Sequence, residues 1–69
     1  MKQLQVCDFV EWELQKFRDE CNFTDEELEV FELKARNKSN EYIAQNLHIS
    51  LSKTNRLIKR IKTKIIKVI

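Results

Sequence analysis

The side chains best suited to binding chemistry lie between residues 52 and 67, where basic and amide residues recur every three to four positions. This spacing puts most of them on one arc of a helix, opposite an apolar stripe. Arginine and lysine pair with phosphate and guanine, and asparagine can pair with adenine. The candidate contact residues are Ser52, Lys53, Asn55, Arg56, Lys59, Arg60, Lys64 and Lys67.

All of these candidates except Lys64 and Lys67 belong to a stretch, residues 39–61, whose pattern predicts a helix-turn-helix. Ser39 is the expected N-cap of a short helix, residues 48–50 form the turn, and Ser50 caps a second helix that runs to about residue 67. The apolar arc predicted for that second helix consists of Leu51, Thr54, Leu57, Ile58, Ile61, Ile65, Val68 and Ile69.

In a helix-turn-helix, the N-terminal residues of the second helix reach base edges in the DNA major groove. Later cations on the same helix neutralise phosphate and set affinity. We therefore expect two groups of contacts. Those at the groove floor are Ser52, Lys53, Asn55, Arg56 and Lys59, and those on phosphate are Arg60, Lys62, Lys64 and Lys67.

Charge is unevenly distributed, although the net value is only +2. Residues 1–33 contain three Lys/Arg and ten Asp/Glu, whereas residues 34–69 contain ten Lys/Arg and one acidic residue, Glu41. The simplest interpretation of such surface charge is a solvated helix face with no binding role. A run of one sign beside a helix-turn-helix instead favours a polyanionic partner, here double-stranded DNA.

A further helix is predicted to begin after Thr24. Glu27, three residues later, completes a capping box, and Phe23 with Leu28 fits a hydrophobic staple. Asn37 tolerates the left-handed conformation and is expected to close the helix.

The first predicted helix covers residues 3–21. Phe9 and Trp12 fit two interpretations equally well: they complete the edge of the core, or they form a contact patch for a second subunit. The apolar side chains late in the last helix need a cover from the N-terminal helix or from another subunit. The candidate interface residues are therefore Phe9, Trp12, Ile65, Ile66 and Ile69. The apolar stripe of the first helix comprises Val6, Cys7, Val10, Leu14, Phe17 and Cys21.

Catalytic and metal-binding chemistry have little support. On one continuous helix Cys7 and Cys21 would lie about 21 Å apart, beyond the roughly 7 Å that a disulfide allows, so we expect two small buried thiols. His48 lies in the predicted turn without a ligand cluster and is interpreted as structural or as a phosphate contact. Tyr42 is expected to pack at the core edge, and the alternative is a hydrogen bond from its hydroxyl to phosphate. We predict no enzyme activity, no metal and no cofactor.

No apolar run approaches the roughly 20 residues of a membrane-spanning helix, and no secretory or lipidation signal is present. We therefore expect a cytoplasmic protein that does not associate with membranes.

Residues 23–61 resemble the LuxR/GerE-type DNA-binding domain and the related region 4 of sigma factors. Residues 23–33 are similar to the opening helix, 39–47 to the scaffold helix, and 53–61 to the recognition helix. The additional N-terminal helix is similar to that of sigma region 4. The resemblance implies major-groove binding by the last helix. It also implies either a homodimer or a partnership with RNA polymerase or a sigma factor.

Taken together, these patterns predict an all-α, four-helix domain over residues 1–69, with helices at 3–21 and 24–36 before the helix-turn-helix at 39–61. We expect a small bacterial or phage transcription regulator that binds DNA. The alternative is a module of the same fold that binds a sigma factor or RNA polymerase without reading DNA itself.

Overall fold

A computed structural model describes residues 5–69, which form four α-helices and no strand. After a short 3-10 helix at Val6–Asp8 come α1 (Glu11–Glu20), α2 (Asp25–Ala35), α3 (Asn40–Leu47) and α4 (Leu51–Val68). The expected all-α class with four helices is confirmed.

The N-terminal region differs from the single helix expected over residues 3–21, whose start at residue 3 lies outside the described residues. Phe9 and Val10 adopt extended backbone after the 3-10 helix, so α1 begins only at Glu11. Its exposed first turn is capped by Glu13, whose Oε1 accepts a hydrogen bond from the Val10 N–H at 3.0 Å.

Side-chain packing explains this break. On a continuous helix, Phe9 and Phe17 would be separated by about 12 Å along the axis. The break instead brings their ring centroids to 4.9 Å in an edge-to-face arrangement. Val6 is also buried, in the 3-10 helix that packs against α2. The gain in buried apolar area favours two short segments over one long helix.

The other helix termini follow the predicted capping signals. The Thr24 hydroxyl accepts a hydrogen bond from the Glu27 N–H at 3.2 Å, and Glu27 accepts one from the Thr24 N–H at 3.1 Å. Ser39 and Ser50 cap α3 and α4 through their hydroxyls. Asn37 adopts the left-handed conformation with φ 61°. All four predictions are confirmed.

The core lies where α4 packs against the other helices. An arginine fastens α1 to α2: Arg18 donates from Nε and Nη2 to the two carboxylate oxygens of Glu32, at 2.6 and 2.9 Å. The most deeply buried side chains are Val6, Phe17, Val30, Phe31, Ile43, Thr54, Ile61 and Ile65.

Several side chains expected to make apolar contacts are exposed instead: Leu51 in the first turn of α4, Ile69 after its end, Val10 before α1, and the staple residue Leu28 in α2. A helical wheel gives the direction of a side chain but not whether a neighbouring helix lies at that height. Phe23, expected to contact Leu28, packs its ring on Phe31 at 4.9 Å.

Both cysteines are free thiols, as expected, but the argument from a continuous helix is wrong because the chain breaks between them. Cys21 is buried, and burial raises the pKa of its thiol. Cys7 is only partly buried, and its thiol donates to Asn37 Oδ1 at 3.5 Å.

Candidate nucleic-acid interface

The two sides of α4 have different surroundings. One side enters the core through five buried residues, and the other is open to solvent. The side chains along the open side of α4 border a shallow, solvent-open depression. This depression, called here the cationic groove, is lined entirely by α4 residues: Arg56, Lys59, Arg60, Thr63, Lys64 and Lys67.

Seven of the eighteen residues of α4 are Lys or Arg, and none is Asp or Glu. The acidic side chains are concentrated in α1 and α2. Closely spaced charges of one sign add their potentials, so the open side of α4 attracts anions. These cations are spread along the helix from Lys53 to Lys67.

Five of the predicted contact residues line this cationic groove together, namely Arg56, Lys59, Arg60, Lys64 and Lys67. Of the remaining predicted contacts, Ser52, Lys53 and Asn55 lie nearer the N-terminal end of α4 and Lys62 lies further along it, all outside the groove. Thr63 lines the groove but was not among the predicted contacts, although its position on the polar arc pointed to it. Its hydroxyl donates to the Lys59 carbonyl at 3.0 Å.

Lys53 is already paired within the molecule. Its Nζ lies 2.7 Å from Oε2 of Glu26 in the first turn of α2, and both side chains are about half exposed. No local pattern in the sequence indicates this partner, since Lys53 and Glu26 are far apart in the chain.

Lys64 has a more buried partner. Its ammonium donates to Glu27 Oε1 and to the Asn22 carbonyl, and it lies over the Phe23 ring. Burial alone would raise the pKa of Glu27, but hydrogen bonds from Lys64 and the Thr24 N–H, with the positive charges of Lys64 and Arg60, lower it overall. Glu27 is therefore ionised, and Lys64 holds α4 to α2 as well as lining the groove.

Asn55 is also engaged. Its Oδ1 accepts a hydrogen bond from Nδ2 of Asn40 at 2.9 Å, which links the first turn of α3 to α4. Lys34 in turn donates to Asn40 Oδ1 at 3.2 Å. The sequence singled out Asn55 but gave no indication of Asn40 as its partner.

The candidate interface residues divide into two groups. Phe9 and Ile65 belong to the core, Phe9 at its edge and Ile65 fully buried, so a cover for Ile65 is supplied within the chain. Trp12, Ile66 and Ile69 are exposed, and Trp12 is the most exposed of the large apolar side chains at 70%.

The turn between α3 and α4 consists of three residues, as predicted. His48 adopts the left-handed conformation with φ 56°, and its N–H closes α3 by donating to the carbonyls of Ala44 and Gln45. Tyr42 is exposed rather than packed at the core edge, with the Lys38 ammonium 5.1 Å from its ring centroid.

Within residues 5–69, no cluster of three or more His, Cys, Asp or Glu side chains is arranged to hold a metal ion. None of the helices in the described part of the chain combines the length and apolar character needed to span a bilayer. Comparison of the chain with protein-family models, with curated proteins and with solved structures finds no match.

Proposed function

We propose that this chain is a DNA-binding transcription regulator that inserts α4 into the major groove of duplex DNA. The observation that carries the proposal is the cationic groove, in which Arg56, Lys59, Arg60 and Lys67 share the open side of a helix that lacks acidic residues. The proposed activity is binding in the cytoplasm, with no chemical step and no cofactor.

The dimensions of α4 suit this role. With its side chains, an α-helix is about 10–12 Å wide, close to the roughly 12 Å width of the major groove. Arg56 and Lys67 are separated by about 16 Å along the axis. At about 3.4 Å per base pair this span corresponds to roughly five base pairs. The cations can thus contact several successive phosphates.

In this proposal α3, the three-residue turn and α4 act as a helix-turn-helix. The Asn40–Asn55 hydrogen bond supports it, because it fastens the start of α3 to the beginning of α4. Ser52, Asn55 and Arg56 would then reach base edges, and Lys59, Arg60 and Lys67 would meet phosphates. Arg56 is the residue we expect to read guanine.

A fluorescence anisotropy titration of a labelled mixed-sequence duplex tests the proposal at about 50 and about 200 mM salt. The three proposed phosphate contacts predict a loss in affinity of roughly 40-fold between these conditions. The variant Arg56→Ala/Lys59→Ala should bind weakly at both. The matched control is Lys16→Ala/Arg36→Ala, which removes two exposed cations outside α4.

Two outcomes would contradict the proposal. One is a folded wild-type chain that does not bind the duplex even at low salt. The other is an equal loss of affinity in the groove variant and in the control, since that would assign the binding to net charge alone.

One such module forms a small DNA interface, so specific binding calls for a second contact. A homodimer supplies it by placing two copies of α4 on the DNA. RNA polymerase or a sigma factor supplies it by tethering the chain beside a promoter.

A protein-binding module is the second candidate function, and the exposure of Trp12 favours it. This ring lies at the surface of an acidic helix, and tryptophan is enriched among the residues that dominate protein interfaces. If α1 docks on RNA polymerase or a sigma factor, Trp12→Ala should abolish binding to the purified partner while circular dichroism stays unchanged. If α1 instead forms a homodimer, the same substitution should halve the sedimenting mass.

A further inference from the structure

Three polar side chains form a hydrogen-bonded row from α2 across α3 to α4. The Lys34 ammonium donates to Asn40 Oδ1 at 3.2 Å, and Asn40 Nδ2 donates to Asn55 Oδ1 at 2.9 Å. Lys34 also donates to the Lys38 carbonyl at 3.4 Å. Lys34 and Asn40 are partly buried, whereas Asn55 is exposed at the N-terminal end of α4.

The first member of this row sets the direction of every hydrogen bond in it. An ammonium group has three donors and no acceptor, so Asn40 must turn its oxygen toward Lys34. The NH₂ group of Asn40 then faces Asn55, which must accept the hydrogen bond with its own oxygen. The NH₂ group of Asn55 is consequently left directed away from the row, and it can only donate.

We propose that Asn55 recognises a hydrogen-bond acceptor on duplex DNA, and that Lys34 and Asn40 determine this preference without touching the DNA. The inference rests on the proposed function. Acceptors of the required kind are guanine N7 and O6, adenine N7, thymine O4 and phosphate oxygens. The bidentate pairing with adenine expected from the sequence is disfavoured, because it also needs the Asn55 oxygen to face the base, and that oxygen faces Asn40.

The substitution Asn40→Asp tests this polarity without altering the shape of the side chain. A carboxylate accepts from Lys34 and also presents an oxygen to Asn55. Asn55 must then rotate its amide and donate to the new carboxylate, leaving its oxygen outward. The variant should therefore change the preference of Asn55 from acceptors to donors, which in the major groove are adenine N6–H and cytosine N4–H.

The control is Asn46→Asp, which adds the same negative charge to an exposed position of the same helix outside the row. Both variants and the wild type are used to select from a library of duplexes with a randomised central segment at about 100 mM salt, followed by sequencing. If Asn55 contacts a base, wild type and Asn46→Asp should reject cytosine at one position, because cytosine presents a donor and no acceptor in the major groove. Asn40→Asp should prefer adenine or cytosine there, by at least about fivefold.

If Asn55 instead contacts a phosphate, the base preference should be the same for the wild type and both variants. In that case Asn40→Asp lowers affinity for every sequence more than Asn46→Asp does, because an outward oxygen repels the phosphate. Asn55→Ala should also weaken all sequences equally. These two arms distinguish a base from a phosphate as the source of the acceptor.

The inference is overturned if wild type binds DNA while Asn40→Asp and Asn46→Asp match in both affinity and base preference. The proposed function would survive that result. Failure of the wild type to bind any duplex would overturn both together, so the two failures are distinguishable.

Discussion

Two neighbouring glutamates in the first turn of α2 pair with two lysines of α4, and the two pairs differ in burial. Glu26 pairs with Lys53, and these side chains are 50% and 44% exposed. Glu27 pairs with Lys64, where the values are 3% and 31%. The two lysines are separated by about 16 Å along the helix. The residue types are the same, but the Glu26–Lys53 pair is exposed to solvent, whereas the Glu27–Lys64 pair lies at the edge of the core with its carboxylate buried.

Burial decides what each pair contributes. A solvent-exposed ion pair adds about 0–1 kcal/mol, since water screens its charges and ordering the side chains has an entropic cost. Removing either member of a buried pair strongly destabilises the fold, because the remaining charge stays desolvated without a partner. We therefore expect Glu27–Lys64 to contribute to stability, and Glu26–Lys53 to contribute little to it but to compete with phosphate for Lys53 if the chain binds DNA as proposed.

The largest expected effect follows from Lys64→Met. This substitution leaves the buried Glu27 carboxylate without its ammonium partner and should lower the free energy of unfolding by roughly 2–4 kcal/mol. Lys53→Met is the matched control and should cost less than about 1 kcal/mol. Urea denaturation followed by circular dichroism measures both. Equal losses would contradict the distinction between the pairs.

An acid titration sharpens the comparison. Because the pKa of Glu27 is lowered in the folded state, its contribution is fully present above the ordinary glutamate pKa and is lost as the pH falls through the folded-state value. The stability of the wild type should thus decrease on acidification more than that of Glu27→Gln. Urea midpoints measured from neutral pH into the acid range test this, and identical slopes would rule out the assignment.

The smallest expected effect concerns Glu26. The Glu26 carboxylate pairs with the Lys53 ammonium, so Glu26→Gln should leave Lys53 free to contact phosphate. DNA affinity should then rise a few-fold at about 50 mM salt. The slope of log affinity against log salt should steepen by about 0.9 for one added phosphate contact. Asp19→Asn, which removes an exposed carboxylate from α1, is the control. Matching gains in the two variants would mean that only net charge had acted.

Local signals in the chain were sufficient for much of the fold. Thr24 with Glu27, Ser39 and Ser50 mark helix starts, because a capping side chain satisfies backbone N–H groups within three residues of itself. Asn37 marks a helix end for a similarly local reason. The cationic arc of α4 also follows from spacing alone.

The N-terminal region shows where such local reasoning stops. The apolar spacing of Val6 and Phe9 fits a continuous helix, yet both side chains reach the core only when the chain breaks before Glu11. The position of the Phe17 ring decides this, and that position depends on how α1 packs on α2 and α4.

By itself, the sequence determined the all-α class, the caps of three helices and the division between an acidic N-terminal half and a basic α4, since each depends on residues within a few positions of one another or on composition. Only the tertiary structure decided where α1 begins, which lysines are already paired and which way the Asn55 amide faces. Those features depend on contacts such as Glu27 with Lys64 and Asn40 with Asn55, between residues that are distant in the chain and adjacent only after the helices pack.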